Sequence, residues 1–193
     1  MGRPMRIQFE GALYHVATRG NNRRPIYRGD RDREFFLWLL GRTVASFGWR
    51  CHTYCLMGNH YHLLLETPQP NLAVGMRQLN GQYARAFNGW HGRVGHLFER
   101  RYISALIEHE SHLLEASRYI VLNPVRAGLC ETAEEWLWSN FRATAGVVRP
   151  KPFLHTTWLL DEFGADPKVA RQRYAAFVAD GSPYASLEGV VAA

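Results

Sequence analysis

The sequence predicts an α+β fold, a ferredoxin-like antiparallel sheet with helices packed on it and a short C-terminal helical extension. Three observations carry that reading. Four apolar runs of strand length lie near residues 7–18, 49–57, 60–66 and 102–107. Two long segments between them place apolar residues at helical spacing. The resulting order is strand, helix, strand, strand, helix, strand, then a further helix, which segregates helices from an antiparallel sheet. Hydrophobic residues make up 47% of the 193 residues and aromatics 13%, enough for a real core and unlike a disordered composition.

The first strand, 7–18, centres on Leu13-Tyr14-His15-Val16, and the basic stretch Arg19-Gly20-Asn21-Asn22-Arg23-Arg24-Pro25 reads as a loop. Asp30 or Asp32 is expected to cap a helix whose apolar stripe is Phe35, Phe36, Leu39, Leu40, Val44 and Phe47, ended by Gly48. Trp49–Met57 and His60–Glu66 then form a hairpin across Gly58-Asn59. Asn71 is expected to cap a second helix with Leu72, Met76, Leu79, Tyr83 and Phe87 on one stripe. After a glycine-rich turn at 90–95, a fourth strand covers about 102–107, and a third helix runs over Ser111–Asn123, stopped by Pro124. The aromatic cluster 136–141 is expected against the sheet edge. Two small helices follow, 159–163 and 167–179, the second with Asp166 as cap and Pro167 at its first position. The expected division is a main domain over 1–150 and an extension over 151–193.

The formal charge is +6, and nearly all of the 23 basic residues are arginine, whose planar fork suits phosphate. That balance leans toward nucleic acid without excluding a merely soluble basic protein. Three cysteines without zinc-type spacing argue against a disulfide scaffold, and no apolar run is long enough to span a bilayer. A reduced, cytoplasmic protein without a membrane partner is expected.

His60-Tyr61-His62 is the most informative motif. In a strand, alternate side chains share a face, so both imidazoles project together and can bite one divalent metal. Two hydrogen-bonded core histidines are the plain alternative. On the helix Ser111–Asn123, Leu113, Leu114, Ser117, Ile120 and Val121 form the packing stripe. His112, Tyr119 and Asn123 cluster on another face, within about 40° of each other, with Glu115 beside them. A half-buried tyrosine and a C-terminal asparagine would explain the pair without chemistry. With the two histidines, they make a coherent catalytic set.

Four blocks then resemble a known family. They are Leu13-Tyr14-His15-Val16-Ala17-Thr18-Arg19-Gly20-Asn21-Asn22, Leu56-Met57-Gly58-Asn59-His60-Tyr61-His62-Leu63-Leu64, Gly95-His96-Leu97-Phe98-Glu99-Arg100-Arg101-Tyr102, and Ser117 through Gly128. In this order they resemble the single-tyrosine transposases of the HUH (His-hydrophobe-His) superfamily, and within it the REP-associated tyrosine transposases, over about residues 7–150. Gly58 departs from the family, which often has Asp there.

The resemblance implies that Tyr119 is the nucleophile, that His60 and His62 bind metal, and that Asn123 stands at the third ligand position. It implies cleavage and strand transfer of single-stranded or hairpin DNA through a 5′-phosphotyrosine with Mg²⁺ or Mn²⁺. Imidazole ligands by themselves favour Mn²⁺. Arg19, Asn21, Asn22, Arg23, Arg24, Arg100, Arg101 and Arg126 are expected to contact DNA, with solvated arginines as the plain alternative. Three rivals stay open: a replication initiator or relaxase of the same superfamily, for whose extra domains 193 residues leave no room; a non-catalytic DNA- or RNA-binding protein; and a metal-dependent hydrolase. Monomer and homodimer are both compatible.

Overall fold

The computed structural model describes residues 8–107 and 110–181. Its centre is a four-stranded antiparallel sheet in the order β2-β3-β1-β4, with β1 Ala12–Arg19, β2 Arg50–Leu56, β3 His60–Thr67 and β4 Ile103–Leu106. The helices α1 (Asp30–Phe47) and α2 (Leu72–Trp90) connect the strands as in a ferredoxin-like unit. The α+β expectation and its strand order hold.

Alternation along β3 sorts the two faces. Tyr61, Leu63 and Leu65 enter one core with Phe36, Leu40, Met76, Tyr83 and Phe87 of α1 and α2. Leu64 enters a second core with Cys55, Ile120, Val121 and Tyr174. This second face is covered by α3 (Glu110–Arg126) and by α6 (Pro167–Ala179), after the short helices α4 (Phe141–Thr144) and α5 (Thr157–Asp161). The sheet is therefore buried on both sides, which explains why β3 reads as a nearly continuous apolar run.

Several expected boundaries are corrected. The first strand begins at Ala12 rather than residue 7, because Gly11 turns the chain at φ 72°; residue 7 itself lies outside the described residues. The N-cap of α1 is Gly29, not Asp30 or Asp32. Asp32 instead accepts a hydrogen bond from the Arg28 N–H and bonds the His91 ring, tying the start of α1 to the end of α2. Asn71 occupies the cap position of α2 but its side chain does not cap. It accepts from Trp49 Nε1 and donates to the Phe47 carbonyl, locking the α1–β2 turn to α2.

The third helix does not stop at Pro124; it runs through to Arg126. Proline removes the N–H that would reach the Ile120 carbonyl. The Asn123 side-chain Nδ2 donates to that carbonyl at 3.4 Å and to the Tyr119 carbonyl at 3.0 Å, so the vacated acceptor keeps a partner. Asp166 does cap α6, accepting from Lys168 N and Val169 N.

The open edge of β2 is closed by residues 136–140, as expected for the aromatic cluster. Leu56 N donates to the Trp138 carbonyl, Trp136 Nε1 to the Leu56 carbonyl, and Tyr54 N to the buried Asn140 Oδ1. Downstream, Leu154 forms a parallel bridge with Cys51.

Candidate active site

The site lies at the end of the sheet where β3 begins and β1 ends. On β3, His60 and His62 share the face covered by α3, as the strand period requires. Register places Arg19 opposite His60 and Ala17 opposite His62, so β1 presents Arg19, Ala17 and His15 to the same face. His15 is the residue that sequence reasoning missed. It sits diagonally from His62, and its Nε2 meets His62 Nδ1 at 2.9 Å, with the rings stacked 5.1 Å apart. The signal was present in the spacing His15-x-Ala17-x-Arg19, but only the β1–β3 register shows which side of which neighbour it meets.

The helix α3 brings the phenol. Of its expected packing stripe, Leu113, Ser117, Ile120 and Val121 are buried and Leu114 is half-buried; Ala116 joins them, and Ser117 Oγ is hydrogen-bonded to Thr53 Oγ1 at 2.8 Å beneath. That buried link fixes the helix on β2 two residues before Tyr119. The half-buried Tyr119 ring stands edge-on to both His15, at 6.0 Å, and His62, at 6.1 Å between centroids. A tyrosine and the His pair, 57 positions apart between His62 and Tyr119 in the sequence, thus converge within one chain.

Arg126, expected on phosphate, lies over the Tyr119 ring at 4.3 Å from its centroid. Burial lowers its pKa, and Tyr119 opposes that shift electrostatically and through a hydrogen bond. Glu115 is paired with Arg118 instead of facing Tyr119, and His112 is exposed. Asn123 is half-buried one turn beyond Tyr119; with its amide nitrogen donating to its own helix, Oδ1 is the atom left for a ligand.

Around the mouth, Arg19, His60, His62, Glu99, Arg100 and Arg101 line a small pocket of about 110 Å³. Backbone links hold this rim: Gly20 bridges Phe98, Glu99 N donates to the Arg19 carbonyl, and Asn21 N donates to the Leu97 carbonyl. Asn22 and Arg23 adopt left-handed backbone angles in a 3₁₀ turn, and both are exposed along with Arg24. Gly20 is required there, since a Cβ would fall 2.2 Å from the Arg24 carbonyl oxygen.

All three rings are held neutral. Burial lowers the pKa of His15 to about 4, and burial with the nearby Arg19 charge lowers His60 to about 4. Burial, reinforced by His15, His60 and Arg19, holds His62 well below the ordinary imidazole range. Neutral imidazole is the metal-binding form, and a metal-bound histidine normally gives its other ring nitrogen to a hydrogen-bond partner. Both partners are in place: Asn59 Oδ1 sits 2.7 Å from His60 Nδ1, and His15 Nε2 on His62 Nδ1. Each ring thereby keeps Nε2 for an ion. Among the described residues, no group of three or more His, Cys, Asp or Glu side chains is arranged to hold a metal. His60 and His62 thus offer two imidazole nitrogens, and any further protein donor to an ion would be of another kind, such as the Asn123 amide oxygen.

Comparison with known proteins decides the family. Residues 8–123, more than half of the chain, match the family model described as "Transposase IS200 like". The chain belongs to the IS200-like transposases. Among curated proteins, this transposase is 26% identical over 143 residues to a Haemophilus influenzae protein classed with the REP-associated tyrosine transposases, covering 68% of this chain and 81% of that one. Among solved structures, it superposes on a REP-associated tyrosine transposase bound to a REP hairpin with a TM-score of 0.65. That match is 18% identical and covers 78% of this chain and 89% of the other, which shows a shared fold. The resemblance read from the four sequence blocks is thus borne out. Among the described residues no helix is long and apolar enough to cross a membrane.

Proposed function

We propose that this transposase cleaves and rejoins single-stranded or hairpin-bearing DNA through a covalent link to Tyr119. The observation that carries the reading is the Tyr119 ring standing against His15 and against His62, which itself lines the basic pocket with Arg19, Arg100 and Arg101. The Tyr119 oxygen attacks the scissile phosphorus, the bond to the 3′ oxygen breaks, and a 5′-phosphotyrosine forms. The phenolic proton leaves as Tyr119 attacks, and the departing 3′ oxygen ends protonated as a hydroxyl. The reverse attack by a 3′-OH restores a phosphodiester and frees the tyrosine, an option that water-activating hydrolysis lacks.

Each side chain has a part in that sequence. The Arg126 guanidinium, which lies over the Tyr119 ring, is placed to offset the negative charge of the scissile phosphate as the tyrosine oxygen attacks. His60 and His62, with Asn123, would hold the divalent ion, Mg²⁺ or Mn²⁺, which when bound polarises the scissile phosphate. His15 fixes the tautomer and orientation of His62. Arg19, Arg100 and Arg101 face the same pocket and pair with phosphate oxygens, and Asn21, Asn22, Arg23 and Arg24 extend that basic rim. The hairpin bound by the structural relative supports DNA of the same class as the substrate here.

The test is a hairpin-bearing single strand labelled at its 3′ end and incubated with Mn²⁺. Wild type should carry the label as a covalent adduct on a denaturing gel. Tyr119→Phe should give none while binding DNA within a few-fold of wild type. Cleavage by Tyr119→Phe without an adduct would transfer the assignment to a hydrolase using His60 and His62.

A further inference from the structure

A groove of about 790 Å³ lies between α2 and the segment 95–102, adjoining the site described above. One wall is the flank of α2 beside its core stripe, where the buried Met76 meets the surface. Ala73, Gly81 and Ala84 keep its floor low, and Arg77 and Arg85 stand exposed along it. The other wall is Leu97, Phe98 and the strip Glu99-Arg100-Arg101. That strip also lines the pocket holding His60 and His62, so the two cavities share a wall.

Several arginines elsewhere are already engaged. Arg31, Arg42, Arg93 and Arg118 lie on aromatic rings, and Arg33 and Arg50 pair with carboxylates. Glu99, the groove's acid, is paired with Arg100. Arg77, Arg85 and Arg101 form no ion pair with any described residue. Exposed guanidinium groups on the rim and the half-buried Phe98 ring in the opposite wall match a single strand, whose phosphates seek cations and whose bases stack on aromatic faces. A duplex would offer the floor only phosphate.

We infer that this groove holds the single-stranded flank of the DNA whose scissile linkage sits at the His60–His62 pocket, with Arg77 and Arg85 pairing its phosphates. The inference rests on the proposed strand cleavage and names where the substrate continues. Gly81 provides a probe that spares the fold: it is exposed, and a Cβ there would meet no atom within 4 Å. Gly81→Trp therefore fills the groove without disturbing the core.

The experiment measures binding of 5′-fluorescein-labelled dT20 and dT6 by anisotropy across a salt series, with adduct yield on the hairpin substrate measured in parallel. Wild type should prefer dT20. Arg77→Ala/Arg85→Ala should weaken dT20 binding about tenfold at moderate salt and lower the salt slope by about 1.4, two single-strand phosphate contacts' worth. Gly81→Trp should weaken dT20 binding with an unchanged melting temperature, and dT6 binding should change little for either variant. Arg31→Ala/Arg42→Ala removes the same charge elsewhere and should leave dT20 binding near wild type. Equal loss in that control, or wild-type dT20 affinity in both groove variants, overturns the inference. Adduct formation by wild type in that case leaves the cleavage reading standing, whereas dT20 binding in the groove without any adduct separates the opposite failure.

Discussion

Replacing His15 tests whether the histidine that the register exposed serves the site or only fills the core. The ring is 3% exposed and its Nε2 is 2.9 Å from His62 Nδ1. His15→Leu removes the partner of His62 and leaves a buried ring nitrogen unsatisfied, at about 1–3 kcal/mol. Burying a leucine side chain offsets a similar amount, so the melting temperature should move by only a few degrees. Metal affinity should respond more sharply. Loss of a second hydrogen-bonding partner to a ligand typically weakens metal binding about 10- to 100-fold, or roughly 1.4–2.8 kcal/mol. Calorimetric titration of Mn²⁺ into wild type, His15→Leu and His15→Gln at neutral pH measures it. The glutamine variant, which can still accept from Nδ1, should recover to within a few-fold. Unchanged Mn²⁺ affinity in His15→Leu would show that orientation of His62 does not depend on this contact, and the reasoning would fail.

Acid should destabilise the fold. His15, His60 and His62 are neutral when folded, so the unfolded chain binds more protons below its ordinary imidazole pKa of 6.5. Stability is complete above that value and falls as pH drops toward about 4, by about 2 kcal/mol for His15 alone between pH 6.5 and 5; denaturant midpoints across that range read it. Asn140→Ala should cost about 1–3 kcal/mol, because the Tyr54 N–H at the β2 edge loses its acceptor in a buried setting, and urea unfolding measures the loss. Gly75→Ala should destabilise by about 1–3 kcal/mol, since its Cβ would fall 2.2 Å from the Trp49 ring; the shift in thermal midpoint checks it.

Much of the fold was legible because local rules and tertiary packing agree. The stripe Leu72, Met76, Leu79, Tyr83 and Phe87 is wholly buried, and Gly48 ends α1 in a left-handed conformation, as its position implied. Capping was misread where side chains had better partners across space: Asn71 serves Trp49, and Asp32 serves His91. Those partners are remote in sequence, so no local pattern could show them. Pro124 was read as a stop because proline lacks an N–H, and the rescue of that carbonyl by Asn123 depends on a rotamer rather than on spacing. At the site, strand periodicity sufficed to put His60 and His62 together, and helix periodicity put Tyr119 on a usable face. What periodicity does not contain is register between strands, which is why His15 and the Arg19–His60 pairing emerged only from the sheet.

The position of α3 after the last strand has a bearing on biosynthesis. All of the sheet, with both histidines of the motif, emerges from the ribosome before the helix that carries the phenol. A nascent chain can therefore pair its strands before Tyr119 has been made, and that ring meets His15 and His62 only when the final layers dock.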